Sequence, residues 1–447
     1  MKILILGDSA AMHSGFAKVI REIFIPIYNT GDYEIEQIGW FHSEAIEEVP
    51  WKIYHTKMVN TSDGPKPTKD DKHGEITAPR VIESTKPDII WTCGDPWMLS
   101  HMIGMKNNYN FKWISQVYID GCVLHQFTDV WNYADALVPV TKFGYDILHE
   151  LEGIDKDILC QPILAGVNKK TYRPFSAEAK AKLQAKVLST SRDAYENPML
   201  IGYVGRNQRR KYIPGFHILK SMVDKNMIRR CSACNMISAP NINYEYYFNK
   251  KPMFWHDRCH NCNSNKLKEE RFELVFWLHC PPGDRGWRFS SLEDLWDVEG
   301  KVLRTNNHQV LRGIPEADFA RVFNSFDVYL SLATEGFGLP PLEAMACGVP
   351  TITPEFAASQ EFMKETGLCW QPKECLIEDG TSIPRPMPNY DSILNIIDKL
   401  RDPEFYKRQC ENALRISDKY TWDTPVSQWI NLLDRVYRSN KVVTEIY

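Results

Sequence analysis

Two successive series of short apolar runs, each run followed by a helix-like segment, restrict this chain to parallel sheets covered by helices on both faces. In the first series Lys2 to Leu6 reads as a buried strand, Gly7 to Gly15 as a loop and Phe16 to Tyr28 as an amphipathic helix. Further strands end at Cys93, Ile119 and Val140. The second series opens near Leu200 with MLIGYVG, then a helix over Ile213 to Val223, the strand ELVFWLHC and a helix over Asp318 to Ser325. It closes with VYLSL, a helix opening near Pro341 and the strand VPTIT. The fold class is therefore α/β with two units. Residues 1–172 form the first and 196–420 the second, and 173–195, with Pro174 and a charged helix, link them. Residues 43–79 are too hydrophilic for core and read as a surface excursion. Residues 226–271 break the rhythm and read as an insertion into the second unit.

A chain of 447 residues with 43% hydrophobic content can bury two ordinary cores. Its formal net charge of −4 gives no whole-chain reason to expect a polyanionic partner, so any such case must be local. The first apolar run is broken by Asp8 and is too short for a signal peptide, and no later run reaches the length of a membrane span. These features, with twelve cysteines read as reduced thiols, point to a cytoplasmic protein without stable membrane insertion.

Residues 333–352, ATEGFGLPPLEAMACGVPTI, carry the densest chemistry. They read as a strand, a glycine-rich turn and a helix whose first turn holds Pro340 and Pro341, where a missing N–H does no harm. Gly336 and Gly338 allow a ligand to approach the backbone. The free N–H groups of the helix start offer a positive site for a diphosphate. Glu335 and Glu343 can accept hydrogen bonds from sugar hydroxyls. The same residues also suit an ordinary Gly/Pro-rich turn with two solvated glutamates. Asp155-Lys-Asp157 has the outline of a metal-binding pair but precedes a strand instead of following one, so it reads as a charged turn and no catalytic metal is expected.

The two glutamates of EGFGLPPLE resemble the signature of retaining GT-B glycosyltransferases, above all family 4, the glycosyl transferases group 1. Other segments follow in that family's order: GVNKKTYRP, with Asn168 where aspartate is usual, VGRNQRRK, LRGIPEADFARVFNSFDVYLSL, SQEFM with Glu361, and a loose form of the N-terminal glycine loop in SAAMHSGFAKVIRE. The resemblance implies two Rossmann-like domains facing a cleft, with residues 421–447 as a helix returning to the first. It implies that Arg206 and Lys211 neutralise a donor diphosphate and that Glu335 holds the donor sugar and Glu343 the ribose. The backbone of Gly336, Phe337, Gly338 and Leu339 would contact sugar and phosphate, with Gly15 in the first loop. Front-face chemistry of this kind needs no enzymic nucleophile. Asp120, in VYIDG, is a candidate for acceptor contact or base, or a structural turn aspartate. His13, Ser14 and His125 are weaker candidates.

Cys231-Ser-Ala-Cys234 and Cys259-His-Asn-Cys262, with twenty-four residues between the pairs, have the spacing of a zinc ribbon with an S4 site. His256 and His260 are spare. Residues 226–271 hold eight Lys and Arg against four Asp and Glu, with Tyr244, Tyr246, Tyr247, Phe248, Phe254 and Trp255 between the knuckles. Such a mixture suits stacking and phosphate contact, and equally suits the small core of a ribbon. The acceptor class stays open: a saccharide or lipopolysaccharide precursor, a protein, or a hydroxymethylated base in DNA, the last being the polymer that the basic ribbon suits best. A non-catalytic sugar-nucleotide or nucleic-acid binding protein remains the alternative from another class.

Overall fold

The computed structural model describes residues 1–41, 47–61, 64–123, 128–191, 198–240, 258–282, 286–305, 314–378 and 382–439. Two six-stranded parallel sheets organise it. The first has the order β3 (Lys52–His55), β2 (Glu34–Trp40), β1 (Lys2–Asp8), β6 (Ile89–Cys93), β7 (Lys112–Val117) and β8 (Ala136–Pro139). The second has the order β14 (Val302–Arg304), β13 (Leu274–His279), β9 (Met199–Val204), β15 (Val328–Leu330), β16 (Thr351–Pro354) and β17 (Cys369–Trp370). In each sheet the order reverses beside the first strand, so a crevice opens at the carboxyl ends of β1 and β6 and of β9 and β15. The central strands are apolar on both faces: all five residues of β6 are buried.

Helix α1 (Gly15–Asn29) starts where the Ser14 hydroxyl accepts from the Ala17 N–H at 3.0 Å. It turns Ala17, Val19, Ile20, Ile23, Phe24 and Ile27 into the core. The expected strands and helices of both series are present, with bounds shifted by a few residues. The stretch EIEQIGW, rich in polar residues, becomes β2, paired with β1 along its whole length. The excursion at 43–79 is more ordered than its hydrophilicity suggests, because β3 joins the sheet and β4 (Met58–Thr61) and β5 (Gly64–Pro67) form a hairpin. Its pivot is the buried Asp71 carboxylate, which accepts from the Lys57, Ile76 and Thr77 N–H groups and from the Thr77 hydroxyl at 2.6–2.9 Å.

Two crossings connect the sheets and lie against each other. Val167 donates its N–H to the Tyr420 carbonyl at 2.8 Å. A Cβ on Gly166 would lie 2.6 Å from the Thr421 carbonyl carbon, so only glycine lets the two strands of chain touch. Beyond the second crossing, the helix Asp423–Arg438 packs on α1. There Trp429 is wholly buried with its ring 5.8 Å from that of Trp91, and the Tyr33 hydroxyl donates to Asp434 Oδ1 at 3.0 Å.

Within 226–271 three short antiparallel strands, β10 (Ile228–Cys231), β11 (Ile237–Ser238) and β12 (Leu267–Glu270), form a separate sheet. It docks on the helix Tyr390–Leu400 through polar contacts: Arg230 to Asp398 at 2.8 Å, the Ile237 N–H to Asn395 Oδ1 at 2.9 Å and the Ala239 N–H to Asp391 Oδ1. Tyr244, Tyr246, Tyr247, Phe248, Phe254, Trp255, Lys250, Lys251 and His256 lie outside the described residues. Truncating Trp429 to Ala should cost about 3–5 kcal/mol of stability, the usual range for a buried aromatic. Urea unfolding followed by far-UV dichroism measures it, and a loss under about 1 kcal/mol would contradict a core role for this helix.

Candidate active site

The turn after β15 is built around one buried ion pair. Lys211, 4% exposed, ends a single 3-10 turn (Arg209–Lys211) after β9 and meets Glu335 Oε1 at 2.5 Å and the Thr334 carbonyl at 3.3 Å. Burial and the neighbouring Arg210 charge push its ammonium down to about 8, against the opposing pull of Glu335. The eight-residue helix Leu339–Ala346 follows, with Pro340 and Pro341 in its first turn and Gly338 capping it at φ +99°. Gly338 therefore has a backbone reason to be glycine. The reason at Gly336 differs from the close ligand approach expected of it: a Cβ there would lie 2.8 Å from Cβ of Tyr118 in the first unit. Phe337 and Leu339 turn their side chains into the core, so only their backbone is placed to meet a ligand.

Opposite stand three carboxylates at the ends of neighbouring strands: Asp8 as the last residue of β1, Asp95 after β6 and Asp120 after β7. Asp120 takes Arg210 at 2.8 Å and Arg385 at 2.7 Å, and Arg385 also donates to the Asp120 carbonyl at 2.9 Å. Burial pushes the Asp120 carboxyl up, but the two guanidinium groups outweigh it and hold the group below its ordinary value. A carboxylate so paired is a weak proton acceptor. Asp95 goes the other way, up to about 6, through burial and the charge of Asp120. Burial also raises Asp8, opposed by the Ser14 hydroxyl bond at 2.6 Å and by Arg206. Arg206 itself is exposed.

Other expected residues have definite places. Ser14 is committed to Asp8 and to the helix cap. His13 sits 3.7 Å from Glu47, its pKa lowered by burial and by Arg21. A Cβ on Gly15 would meet nothing within 4 Å, so this end of α1 faces open space. Glu361 accepts from the Phe143 N–H at 3.0 Å, and Asn168 donates to Glu22 at 3.2 Å. Asp155 caps its own turn through the Asp157 N–H at 2.9 Å. His125 lies outside the described residues. Glu343, 2% exposed, is bound by Lys18 of α1 at 2.5 Å, and Lys18 also donates to the Tyr172 hydroxyl at 2.6 Å. Sequence reasoning missed Lys18, Asp95 and Arg385. Only Lys18 left a signal, as one of three charges, with Arg21 and Glu22, on the amphipathic α1.

The four cysteines Cys231, Cys234, Cys259 and Cys262 have all their Sγ atoms within 4.8 Å of one another. A tetrahedral site with metal–sulfur bonds of about 2.3 Å needs sulfurs about 3.8 Å apart. The two closest pairs are 3.6 Å and 3.5 Å. Both knuckles share one backbone pattern: the Asn235 N–H donates to the Cys231 carbonyl at 2.8 Å, and the Asn263 N–H donates to the Cys259 carbonyl at 2.9 Å. Both asparagines have positive φ, near +60°. The cluster can hold a structural metal, and His260 is not part of it.

Residues 300–413 match the family described as Glycosyl transferases group 1. Over 152 residues the chain is 26% identical to O-antigen chain mannosyltransferase B of Escherichia coli, covering 33% of this chain and 35% of that protein. It is 23% identical to a probable sucrose-phosphate synthase of Thermosipho melanesiensis, covering 45% of each. The chain thus spans less than half the length of the curated relatives it matches. Among solved structures it resembles sucrose-phosphate synthase from Thermosynechococcus elongatus, with TM-score 0.65, 14% identity and 98% of both chains covered. Anabaena HepE in complex with UDP and glucose gives TM-score 0.64 at 14% identity, over 97% of this chain and 99% of that one. These likenesses show that the chain has the GT-B fold, and residues 300–413 carry its match to the glycosyl transferases group 1.

Proposed function

We propose that this chain is a retaining glycosyltransferase that moves a sugar from a nucleotide-diphosphate donor to a hydroxyl acceptor. The observation that carries the reading is the Lys211–Glu335 pair set beside the start of the helix Leu339–Ala346 within a group 1 domain. A diphosphate brought to that helix start meets an ammonium and the backbone N–H groups of Gly338 and Leu339, since Pro340 and Pro341 have none to offer. When phosphate takes the ammonium, Glu335 is released to accept hydrogen bonds from the donor sugar. Arg206 adds charge from the rim, the backbone from Gly336 to Leu339 lines the sugar and phosphate, Glu343 receives the ribose and Gly15 leaves room for the donor. Asp120, held by two arginines, orients Arg210 and Arg385 and does not serve as base. As the acceptor oxygen bonds to the anomeric carbon, the bond from that carbon to the phosphate oxygen breaks, Lys211 assists departure of the nucleoside diphosphate, and the acceptor proton passes to a phosphate oxygen of that leaving group.

The acceptor reading favoured here is a saccharide, as the names of both curated relatives suggest for those proteins. DNA carrying a hydroxymethylated base is the second reading, supported by the four excess positive charges of 226–271. Against it, Arg230 is consumed by Glu270 and Asp398. No described helix is long and apolar enough to cross a membrane, and a cytoplasmic setting suits the twelve unbridged cysteines. Zinc is the metal that an all-cysteine tetrahedral site fits best.

Three outcomes follow from the reading. Glu335→Ala and Lys211→Ala should each lower turnover about 100- to 1,000-fold with unchanged far-UV dichroism. The assay is transfer from a panel of nucleotide sugars to saccharides and to hydroxymethylated DNA, with the product anomer read by NMR. Near-normal activity of either variant, or an inverted anomer, would remove the assignment.

Because burial and Arg210 bring Lys211 down to about 8, it is largely neutral at about pH 9, and a diphosphate restores its proton. The proton uptake that accompanies binding of a nucleoside diphosphate should be largest at about pH 9 and fall away as the pH drops through about 8. Calorimetry in buffers of different ionisation enthalpy reads this, and Lys211→Met should abolish it.

Purified protein should carry one zinc per chain. Replacing Cys259 by Ser should release the metal and unfold the ribbon while donor hydrolysis persists, as metal analysis and hydrolysis assays would report.

A further inference from the structure

Helix α1 shows one charged side: Lys18, Arg21 and Glu22, three and four residues apart, each meet a residue from beyond the first sheet. Arg21 binds Glu316 at 3.1 Å, Glu22 accepts from Asn168 at 3.2 Å and Lys18 binds Glu343 at 2.5 Å. The Lys18 ammonium is enclosed. It lies 2.6 Å from the Tyr172 hydroxyl, 4.6 Å from the Tyr172 ring centre and 5.6 Å from that of Phe319, with Glu316 at 3.6 Å. Side-chain exposure is 12% for Lys18 and 3% for Glu343, so neither charge has water as its main partner. The bond engages Oε1 of the carboxylate. Arg21, one turn on, donates to the Ala10 and Met12 carbonyls at 2.6 and 2.8 Å and thereby pins the loop that follows β1.

We infer that Lys18 is a positioning residue for Glu343: reaching across the cleft, its ammonium balances and orients the carboxylate that receives a nucleoside diphosphate's ribose hydroxyls. The inference rests on the assignment of Glu343 to the ribose. A buried carboxylate without this partner would carry the full cost of an unpaired charge and would turn away or take up a proton. The hydroxyls would then meet a rotated or neutral group and lose their charge-assisted bonds. Since Arg21 on the same helix holds the loop Ser9–Ser14, the ribose site and that loop move as one body.

The full-length protein is titrated by calorimetry with UDP, GDP, ADP and CDP, and the tightest of the four is compared with its 2′,3′-dideoxy form. The parent should prefer the ribonucleotide. Lys18→Met should weaken the ribonucleotide about tenfold or more and the dideoxy form less than about twofold. Lys18→Arg should recover most of the loss, and Lys18→Gln serves if the Met variant does not fold. Glu343→Gln should cause the same selective loss, with little further loss when combined with Lys18→Met. Equal weakening of both ligands, or undiminished ribose preference in the Lys18 variants, would overturn the inference. A parent that binds a diphosphate with no preference for ribose hydroxyls would overturn the Glu343 assignment and the inference with it. A parent that binds none of the four overturns the donor reading itself.

Discussion

Buried charge across the cleft is the constraint on which the site depends. Lys18 with Glu343, Arg21 with Glu316, and Asp120 with Arg210 and Arg385 each join a residue of the first sheet's unit to one of the second. Such pairs add little net stability over apolar packing of the same volume, but breaking one by removing a single partner is costly. They therefore fix register more than they add cohesion. A helix such as Leu339–Ala346 can present its first turn to a cleft only if the opposite wall arrives at a set distance. Gly336 against Tyr118 marks how close that approach is.

Most of the fold was legible because parallel strands buried on both faces leave continuous apolar runs, as in ILIL after Lys2 and in LIGYV after Met199. What escaped were the strands of mixed polarity on one side of the first sheet. β2 alternates Glu and Gln with Ile, and β3 is four residues of mixed polarity, so neither looks like a buried strand. The 43–79 segment escaped because its order comes from Asp71, a single carboxylate collecting backbone N–H groups, which no hydropathy pattern records.

The site was legible in the residues that share a local motif and obscure in those brought together by the crossing. Glu335, Gly338 and Glu343 lie within nine residues, and Lys211 lies close behind its strand. Arg385 stands 265 residues from Asp120 and Lys18 stands 325 from Glu343, so spacing carries no trace of either pair. The cysteines are the opposite case. Two knuckles of one backbone pattern, each closed by a positive-φ asparagine, encode their geometry almost entirely in local sequence. Their docking on Asp391, Asn395 and Asp398 was not readable, because it uses the polar side of a helix that also supplies Ile393, Leu394 and Ile397 to the core.

The two ends of the proposed donor site differ in how a ligand would change them. At Lys211 a ligand's phosphate would substitute for a protein carboxylate, so the ammonium would exchange one anion for another with its desolvation already met in the fold. Glu335, one-fifth exposed, can take up hydroxyls when released. At Glu343 no such exchange is available. The ribose is neutral, so the carboxylate needs its own cation both before and after binding, and that cation must stand aside from the hydroxyls. Lys18 meets this need by entering from the opposite wall, anchored by Tyr172. A lysine from the same wall as Glu343 would balance the charge as well, but one from the other unit also ties the proposed ribose site to the opposite wall.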